Sequence, residues 1–145
     1  MRLNLKPLVK DFELDYRSDI DPDARATVSI RQASTGEQLR IAGLFSEQTQ
    51  IWDDAEIGTV QLKRKWNPHE LHRFRAYLTM AGCDIEDDDG DPLFKFRNTK
   101  SGAELAMSQA QFNAAWDALP PELTQEIHQK VLEVNPQWDF SRQGE

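Results

Sequence analysis

Cysteine is nearly absent from this sequence: Cys83 is the only one among 145 residues. A single thiol excludes an internal disulfide and any zinc site built on several cysteines. Long apolar runs are missing as well, since no stretch approaches the ~20 residues that a membrane helix requires. The first residues also lack the apolar segment of a signal peptide. We therefore expect a soluble protein that is not exported and has no membrane partner.

Basic residues are too few to balance the acids. The chain has 17 Lys and Arg against 25 Asp and Glu, which gives a formal net charge of −8. Because nucleic-acid binding depends on Lys and Arg contacts to phosphates, this composition argues against nucleic acid as the main partner. The one basic cluster, Lys63–Lys65, is interpreted as a solvated strand end, with contact to an acidic partner as the alternative.

Motifs of the common enzyme classes are missing too. The sequence contains no Gly-x-Ser-x-Gly elbow and no glycine loop of the Walker or Rossmann kind. Cys83 precedes a predicted hairpin rather than a helix N-terminus, so nothing in the sequence activates its thiol. We interpret it as a buried structural residue, and we expect no catalytic residue, no cofactor and no enzymatic activity.

The acidic run Asp84–Asp91 invites comparison with a calcium loop. When its glycine is aligned with that of an EF-hand, Asp87 and Asp89 occupy ligand positions. The two anchor positions are then filled by Ile85 and Phe96, which cannot bind calcium through their side chains. Asp and Gly are also favoured in turns for local reasons. We interpret the run as a charged hairpin turn.

Histidine offers a second pattern that a metal ion could use. His69 and His72 lie three residues apart on one predicted helix, and His128 is the only other histidine. The spacing is not that of the metalloprotease helix, and a metal site needs at least a third ligand. We interpret the pair as exposed histidines near a helix start and predict no metal site.

Alternating polar and apolar residues predict strands in the first two thirds of the chain. The clearest are residues 12–16 and 26–31, which suggest an antiparallel pair with a long polar connection. A further strand is predicted over about 57–65. An Asp-Gly turn between short apolar runs predicts a hairpin over 83–96.

Capping residues and helical spacing predict four helices, near 36–48, 68–81, 109–118 and 121–134. Ser34 or Thr35 can cap the first helix, Asn67 the second and Ser108 the third, and Gly82 is expected to end the second. The prediction is a single α+β domain over 1–145, with a small antiparallel sheet packed by about four helices. Its parts are a strand-rich segment with one helix (1–66), a helix plus hairpin (67–107) and a C-terminal helical pair with an aromatic tail (108–145).

The aromatic tail leaves two alternatives open. Trp138 and Phe140 follow a helix-ending Asn-Pro pair, so they either fold back onto the core or stay exposed and contact another chain. In the second case we expect the contact to use apolar side chains that the fold cannot fully bury. The candidates for a partner-binding site are Trp116, Leu123, Ile127, Trp138 and Phe140.

Several segments taken together resemble a known family. They are residues 26–33 running into 35–37, Leu93-Phe94, the segment Phe112-x-x-Ala115-Trp116-x-x-Leu119-Pro120, and residues 131–138. In their order along the chain they resemble the tail assembly chaperones of long-tailed bacteriophages. The family is chiefly helical, so the strands predicted above depart from it.

The resemblance implies a non-enzymatic protein of the host cytoplasm that needs no cofactor. Its expected partner is the tape-measure protein, a long helical chain with apolar stripes that must be kept soluble until the tail assembles. Exposed apolar surface would also favour homo-oligomers. The alternative interpretation is a virion structural component, either a head–tail connector or a tail accessory protein.

Overall fold

The computed structural model describes residues 1–43, 67–100 and 102–139. These residues form an α+β fold with four helices and two small antiparallel sheets, as the sequence predicted. The strands are β1 (Val9–Glu13), β2 (Thr27–Arg31), β3 (Met80–Cys83), β4 (Phe96–Thr99) and β5 (Gly102–Leu105). The helices are α1 (described over 35–43), α2 (Pro68–Thr79), α3 (Gln109–Asp117) and α4 (Pro121–Val134), followed by a 3-10 turn at Pro136–Trp138.

Strand β2 is the centre of the larger sheet, whose order is β1-β2-β3. Its neighbours both run antiparallel to it, with Val9 opposite Arg31 and Val28 opposite Cys83. Val28 and Ile30 are fully buried because alternate residues of a strand point to the same face, which here faces the core. Helix α4 packs against both β1 and β2, so it covers the sheet.

The first predicted strand is displaced. It was expected over 12–16, but pairing with β2 covers 9–13 and one further backbone hydrogen bond joins Leu14 to Ala26. The next two amides leave the sheet, because the Glu126 carboxylate of α4 accepts hydrogen bonds from the backbone N–H groups of Asp15 (2.5 Å) and Tyr16 (3.0 Å). A helix side chain thus ends this strand, and no local pattern signals it.

Gly82 does not end the second helix. Helix α2 stops at Thr79 and β3 follows at once, so Gly82 lies inside a strand opposite Ser29. A Cβ atom on Gly82 would lie 3.2 Å from the Ser29 Oγ atom, so glycine permits the close approach of the two strands. The predicted cap at the other end is confirmed, because the Asn67 side chain accepts a hydrogen bond from the His69 amide at 2.8 Å.

The predicted hairpin over 83–96 is shorter than expected. The chain turns at Asp87–Asp91 and is joined across the turn by a bridge between Glu86 and Pro92. Strand β4 starts only at Phe96 and pairs with β5, which makes a second hairpin that the sequence analysis missed. The strand predicted over 57–65 and the end of the helix predicted over 36–48 lie outside the described residues.

Local capping signals at the other helices hold. Ser34 and Glu37 exchange side-chain and backbone hydrogen bonds at the start of α1, which makes Ser34 rather than Thr35 the cap. Ser108 and Gln111 form the predicted capping box of α3. None of the helices in the described ranges combines the length and the apolarity that a bilayer span requires.

The tail folds back onto the core. Helix α4 ends at Asn135, the 3-10 turn reverses the chain, and Trp138 is only 5% exposed within the main apolar cluster. The guanidinium group of Arg75 lies over its ring, 5.5 Å from the ring centre. Of the two alternatives for Trp138, the structure therefore has the buried one.

We expect Trp138→Ala to lower the free energy of unfolding by about 3–5 kcal/mol, because it leaves a cavity in the core. Leu5→Ala serves as the matched control: Leu5 is 85% exposed, so its truncation should cost less than about 0.5 kcal/mol. Urea denaturation of both variants measures the difference. Equal stability of the two variants would contradict a core role for Trp138.

Candidate functional site

The structure buries the side chains that the sequence offered for partner binding. Trp116, Leu123, Ile127 and Trp138 all lie in the apolar core, while Phe140 is outside the described residues. The expectation that the fold leaves these four accessible is therefore wrong. The reason is that the α3–α4 pair packs its apolar stripes against the sheet and α2, and the tail covers the remaining side.

Apolar side chains remain exposed at the opposite terminus. Residues 1–8, here called the N-terminal arm, precede β1 and carry the large exposed side chains of Met1, Leu3, Leu5 and Leu8. Leu3 is 68% exposed and Leu5 is 85% exposed. Single exposed leucines are ordinary on protein surfaces, but four large apolar side chains on one short segment make it a candidate contact surface.

The arm is also basic. The first ten residues contain Arg2, Lys6 and Lys10 and no acid, so all 25 acids of the chain lie after them. Its path is fixed at the point where it joins the sheet, because the Leu8 carbonyl accepts a hydrogen bond from the Gln32 amide at 2.8 Å. The sequence analysis missed the arm, although its alternating leucines and its lack of acids were visible signals.

A partly buried ion pair lies beside the base of the arm. Arg31 on β2 donates to Glu37 on α1, with one nitrogen–oxygen distance of 2.6 Å, and also to the Leu78 carbonyl at the end of α2. Burial acts to raise the pKa of Glu37, but the hydrogen bonds from Arg31 and Ser34 outweigh it and hold this pKa below its ordinary value. The pair joins β2, α1 and α2 where the arm leaves the sheet.

An acidic groove of about 470 Å³ lies at the other end of the same sheet. Its walls combine acids with a few apolar side chains, and we call it the acidic groove. The lining residues that matter here are Tyr16, Ile20, Ile85, Asp84, Glu86 and Asp88. Arg25 also lines it, but its charge is balanced by Glu13 at 2.8 Å and Asp15 at 2.6 Å. The groove therefore offers negative charge beside apolar surface.

One acid at the rim of the groove, Asp87, stabilises the turn. The Asp87 carboxylate accepts hydrogen bonds from the backbone N–H groups of Asp89 and Asp91, both at 2.9 Å. Ligand atoms of Asp87, Asp88 and Asp89 lie within 4.8 Å of one another, and within the described ranges no other trio of His, Cys, Asp or Glu was found so close. The geometry is that of a self-stabilised Asx turn, which agrees with the hairpin interpretation.

We expect a chelator such as EDTA to leave the melting temperature unchanged, because the turn satisfies its own backbone amides without a cation. Differential scanning fluorimetry with and without EDTA measures this. A fall of several degrees that added calcium reverses would instead show that the Asp87–Asp89 cluster holds an ion.

His128 of α4 is distant in sequence from His69 and His72 of α2, but the packing of the two helices brings the three histidines together. The rings of His72 and His128 stack with their centres 3.5 Å apart and their planes 15° apart, and His69 meets His72 edge-on at 6.2 Å. His69 is exposed as predicted, but His72 is half-buried and His128 is buried. Stacked rings direct their nitrogen lone pairs into parallel planes, so this pair does not converge on one metal ion.

Burial keeps the histidine pair neutral. The pKa of His128 is lowered to about 3: burial has the largest effect, the nearby charges of His72 and Arg75 act in the same direction, and Asp139 opposes them. Burial likewise lowers the pKa of His72, with Arg75 and His69 adding to the effect. Arg75 Nη1 lies 3.4 Å from His128 Nε2, which suits a neutral imidazole that accepts from the guanidinium group. The cluster stabilises the fold in its neutral form.

Below about pH 6.5 the His128 ring binds a proton in the unfolded chain but not in the folded chain. The free energy of unfolding should therefore decrease as the pH is lowered from about 6.5 toward about 3. Each pH unit costs up to about 1.4 kcal/mol per group. We expect His128→Gln, which keeps an acceptor for Arg75 but does not titrate, to lose less stability than the unmodified chain between about pH 7.5 and about pH 5.

His69→Gln is the control for this measurement, because His69 is exposed. It should keep the acid sensitivity of the unmodified chain. Thermal unfolding followed by circular dichroism at the two pH values compares the three proteins. The same loss of stability in His128→Gln as in the other two would contradict the assignment.

Cys83 is not a nucleophile in this structure. Burial raises the pKa of its thiol to about 12, with a smaller contribution from the Asp84 charge, while a backbone hydrogen bond at Ile85 acts in the opposite direction. The thiolate is the reactive form of cysteine, and almost none is present near neutral pH. The position fits the structural role that the sequence suggested, although the residue is partly rather than fully buried.

Comparison of the chain with protein-family models, with curated proteins and with solved structures gives no match in any of the three. The candidate site therefore depends on the geometry of this chain alone. Its two parts are the basic, apolar N-terminal arm and the acidic groove, at opposite ends of one sheet.

Proposed function

We propose that this chain is a non-enzymatic tail assembly chaperone of a long-tailed bacteriophage, which acts in the host cytoplasm. It binds the tape-measure protein and keeps it in solution while the tail assembles. In this proposal the N-terminal arm is the segment that contacts the client, and the acidic body supplies solubility.

The observation that carries the proposal is the set of unburied leucines on the arm. A chaperone for a long helical client must present apolar side chains to the apolar stripe of that client. The described chain buries the aromatic residues of its C-terminal helices in its own core, and it leaves Leu3 and Leu5 in solvent. The arm thus has the chemistry that the role requires.

The charge of the chain supports the same role. A net charge of −8 favours solubility of a complex that carries an aggregation-prone client. The order of segments along the chain, which resembles the tail assembly chaperones, supplies the identity of the client. The mixed α+β fold is a departure from a chiefly helical family, and the proposal does not depend on a shared fold.

We expect the double change Leu3→Ser with Leu5→Ser to weaken client binding by roughly thirtyfold, about 2 kcal/mol, because it removes the apolar contact. The fold should be unaffected, since both side chains are exposed. The test co-expresses the chain with a candidate tape-measure protein and measures the soluble fraction and the pull-down of that client.

Leu39→Ser is the matched control, because Leu39 is 64% exposed but lies on α1, outside both the arm and the acidic groove. It should leave capture of the client unchanged. Failure of the unmodified chain to solubilise the tape-measure protein would overturn the proposal. Recovery of the chain from purified virions would favour the alternative, a connector or tail accessory protein.

A further inference from the structure

We propose that the N-terminal arm of one copy binds in the acidic groove of a second copy, so that the chain associates with itself head to tail. This contact goes beyond the proposed function and does not require a client. It follows from the positions of the two surfaces, from their opposite charge and from the apolar side chains that both present.

The two surfaces lie at opposite ends of the β1-β2-β3 sheet. The arm precedes β1, and its Leu8 carbonyl accepts a hydrogen bond from the amide of Gln32, which follows β2. The groove is built from residues that follow β1, precede β2 and follow β3. Because neighbouring strands are antiparallel, all three groove segments meet at the end of the sheet that faces away from the arm.

This separation favours a second copy over the same chain as the occupant. The backbone from Leu8 to Tyr16 spans eight residue-to-residue steps, an extended path of roughly 26 Å. To reach the groove of its own chain, residues 1–8 would have to reverse at Leu8 and run the whole length of β1. The bond from the Gln32 amide to the Leu8 carbonyl holds that base in place. A neighbouring copy can receive the arm without any reversal.

Charge complementarity selects the groove as the receiving surface. The arm carries Arg2 and Lys6 and no acid. Asp84, Glu86 and Asp88 line the groove, whose one lining arginine is already paired with two acids. Opposite potentials of this kind steer two surfaces together and suppress the pairing of like with like. Arm against arm and groove against groove are both repulsive.

Apolar contact completes the match. Leu3 and Leu5 share one face of an extended arm, so they can enter a groove together. Arg2 and Lys6 leave from the other face, and their long side chains can reach acids at the rim. The groove offers Tyr16, Ile20 and Ile85 between those acids, and Ile20 is exposed in the single chain. Each surface therefore holds apolar area that the other can cover.

The resulting contact joins two different surfaces, so it is heterologous. Such contacts do not stop at a dimer: they close into rings when the rotation between copies allows it and otherwise extend into filaments. We expect association that increases with protein concentration and decreases with salt, because the screening length shortens from about 14 Å at 0.05 M to about 4 Å at 0.5 M ionic strength.

Exchange of charge between the two surfaces tests the contact. Lys6 and Asp88 are exposed, so Lys6→Glu and Asp88→Lys should leave the melting temperature unchanged. Sedimentation velocity of the full chain at roughly 10–100 µM should show association of the unmodified protein. We expect each single variant to weaken it by about tenfold or more.

An equimolar mixture of the two variants should associate again. In the mixture the arm of Asp88→Lys meets the intact groove of Lys6→Glu, and the altered arm meets the altered groove with its charges exchanged. The control is Lys95→Glu, which makes the same change in net charge at an exposed lysine outside both surfaces. It should associate nearly as well as the unmodified protein.

Three results would overturn the proposal. A monomeric unmodified protein over this concentration range would mean that the arm serves another protein. Equal weakening of the association by Lys6→Glu and Lys95→Glu would show that the association depends on net charge alone and not on the arm. Absence of association in the mixture would show that Lys6 and Asp88 do not meet. No client is present in these measurements, so they leave the proposed function to its own test.

Discussion

The rest of the structure depends on the side-chain amide of Asn135, which joins the end of α4 to the end of β2 and the loop that follows it. It is fully buried; its oxygen accepts from the Ala33 amide at 2.8 Å, and its nitrogen donates to the carbonyls of Val131 and Arg31. An amide offers a donor and an acceptor on one rigid plane, so it can satisfy a strand end and a helix end together. The same residue caps the C-terminal end of α4 and precedes the 3-10 turn that contains the buried Trp138. It also fixes the loop after β2, where the Gln32 amide donates a hydrogen bond to the Leu8 carbonyl of the arm.

Local signals predicted the elements, and long-range contacts set their limits. The caps at Asn67 and Ser108 were predictable because a cap is decided within four residues. The end of β1 was not predictable, because the next two backbone N–H groups donate hydrogen bonds to Glu126 of α4, which lies more than a hundred residues away in the sequence. Gly82 shows the same limit: a glycine after an apolar helix resembles a stop, but its reason here is the Ser29 side chain on a neighbouring strand.

The candidate site was harder to predict than the fold, because the residue type alone does not show whether an apolar side chain is buried or exposed. Trp138 and Leu5 are both large apolar residues near a chain end, yet one closes the core and the other stays in solvent. The difference is whether a helix and a turn return the residue to the sheet. The histidine cluster needed the packing of α2 on α4, which no spacing reveals. The bases of the first ten residues, in contrast, could be read directly from the sequence.

The position of these bases gives the molecule a polarity that its net charge hides. A net charge of −8 suggests uniform repulsion between copies, but the repulsion is strongest where acids meet acids and is reversed where the arm meets the groove. Screening at moderate salt largely removes both effects beyond about 10 Å. In the proposed contact, charge therefore aligns the two surfaces at short range, and Leu3 and Leu5 supply the apolar contact that holds them together. In the two proposals one short segment has two uses, contact with a client and contact with a neighbouring copy, and each use covers the same leucines. Trp116 and Trp138 remain in the core in both cases, so the exposed leucines of the arm have to supply the apolar contact, and the acidic body opposes association at other surfaces.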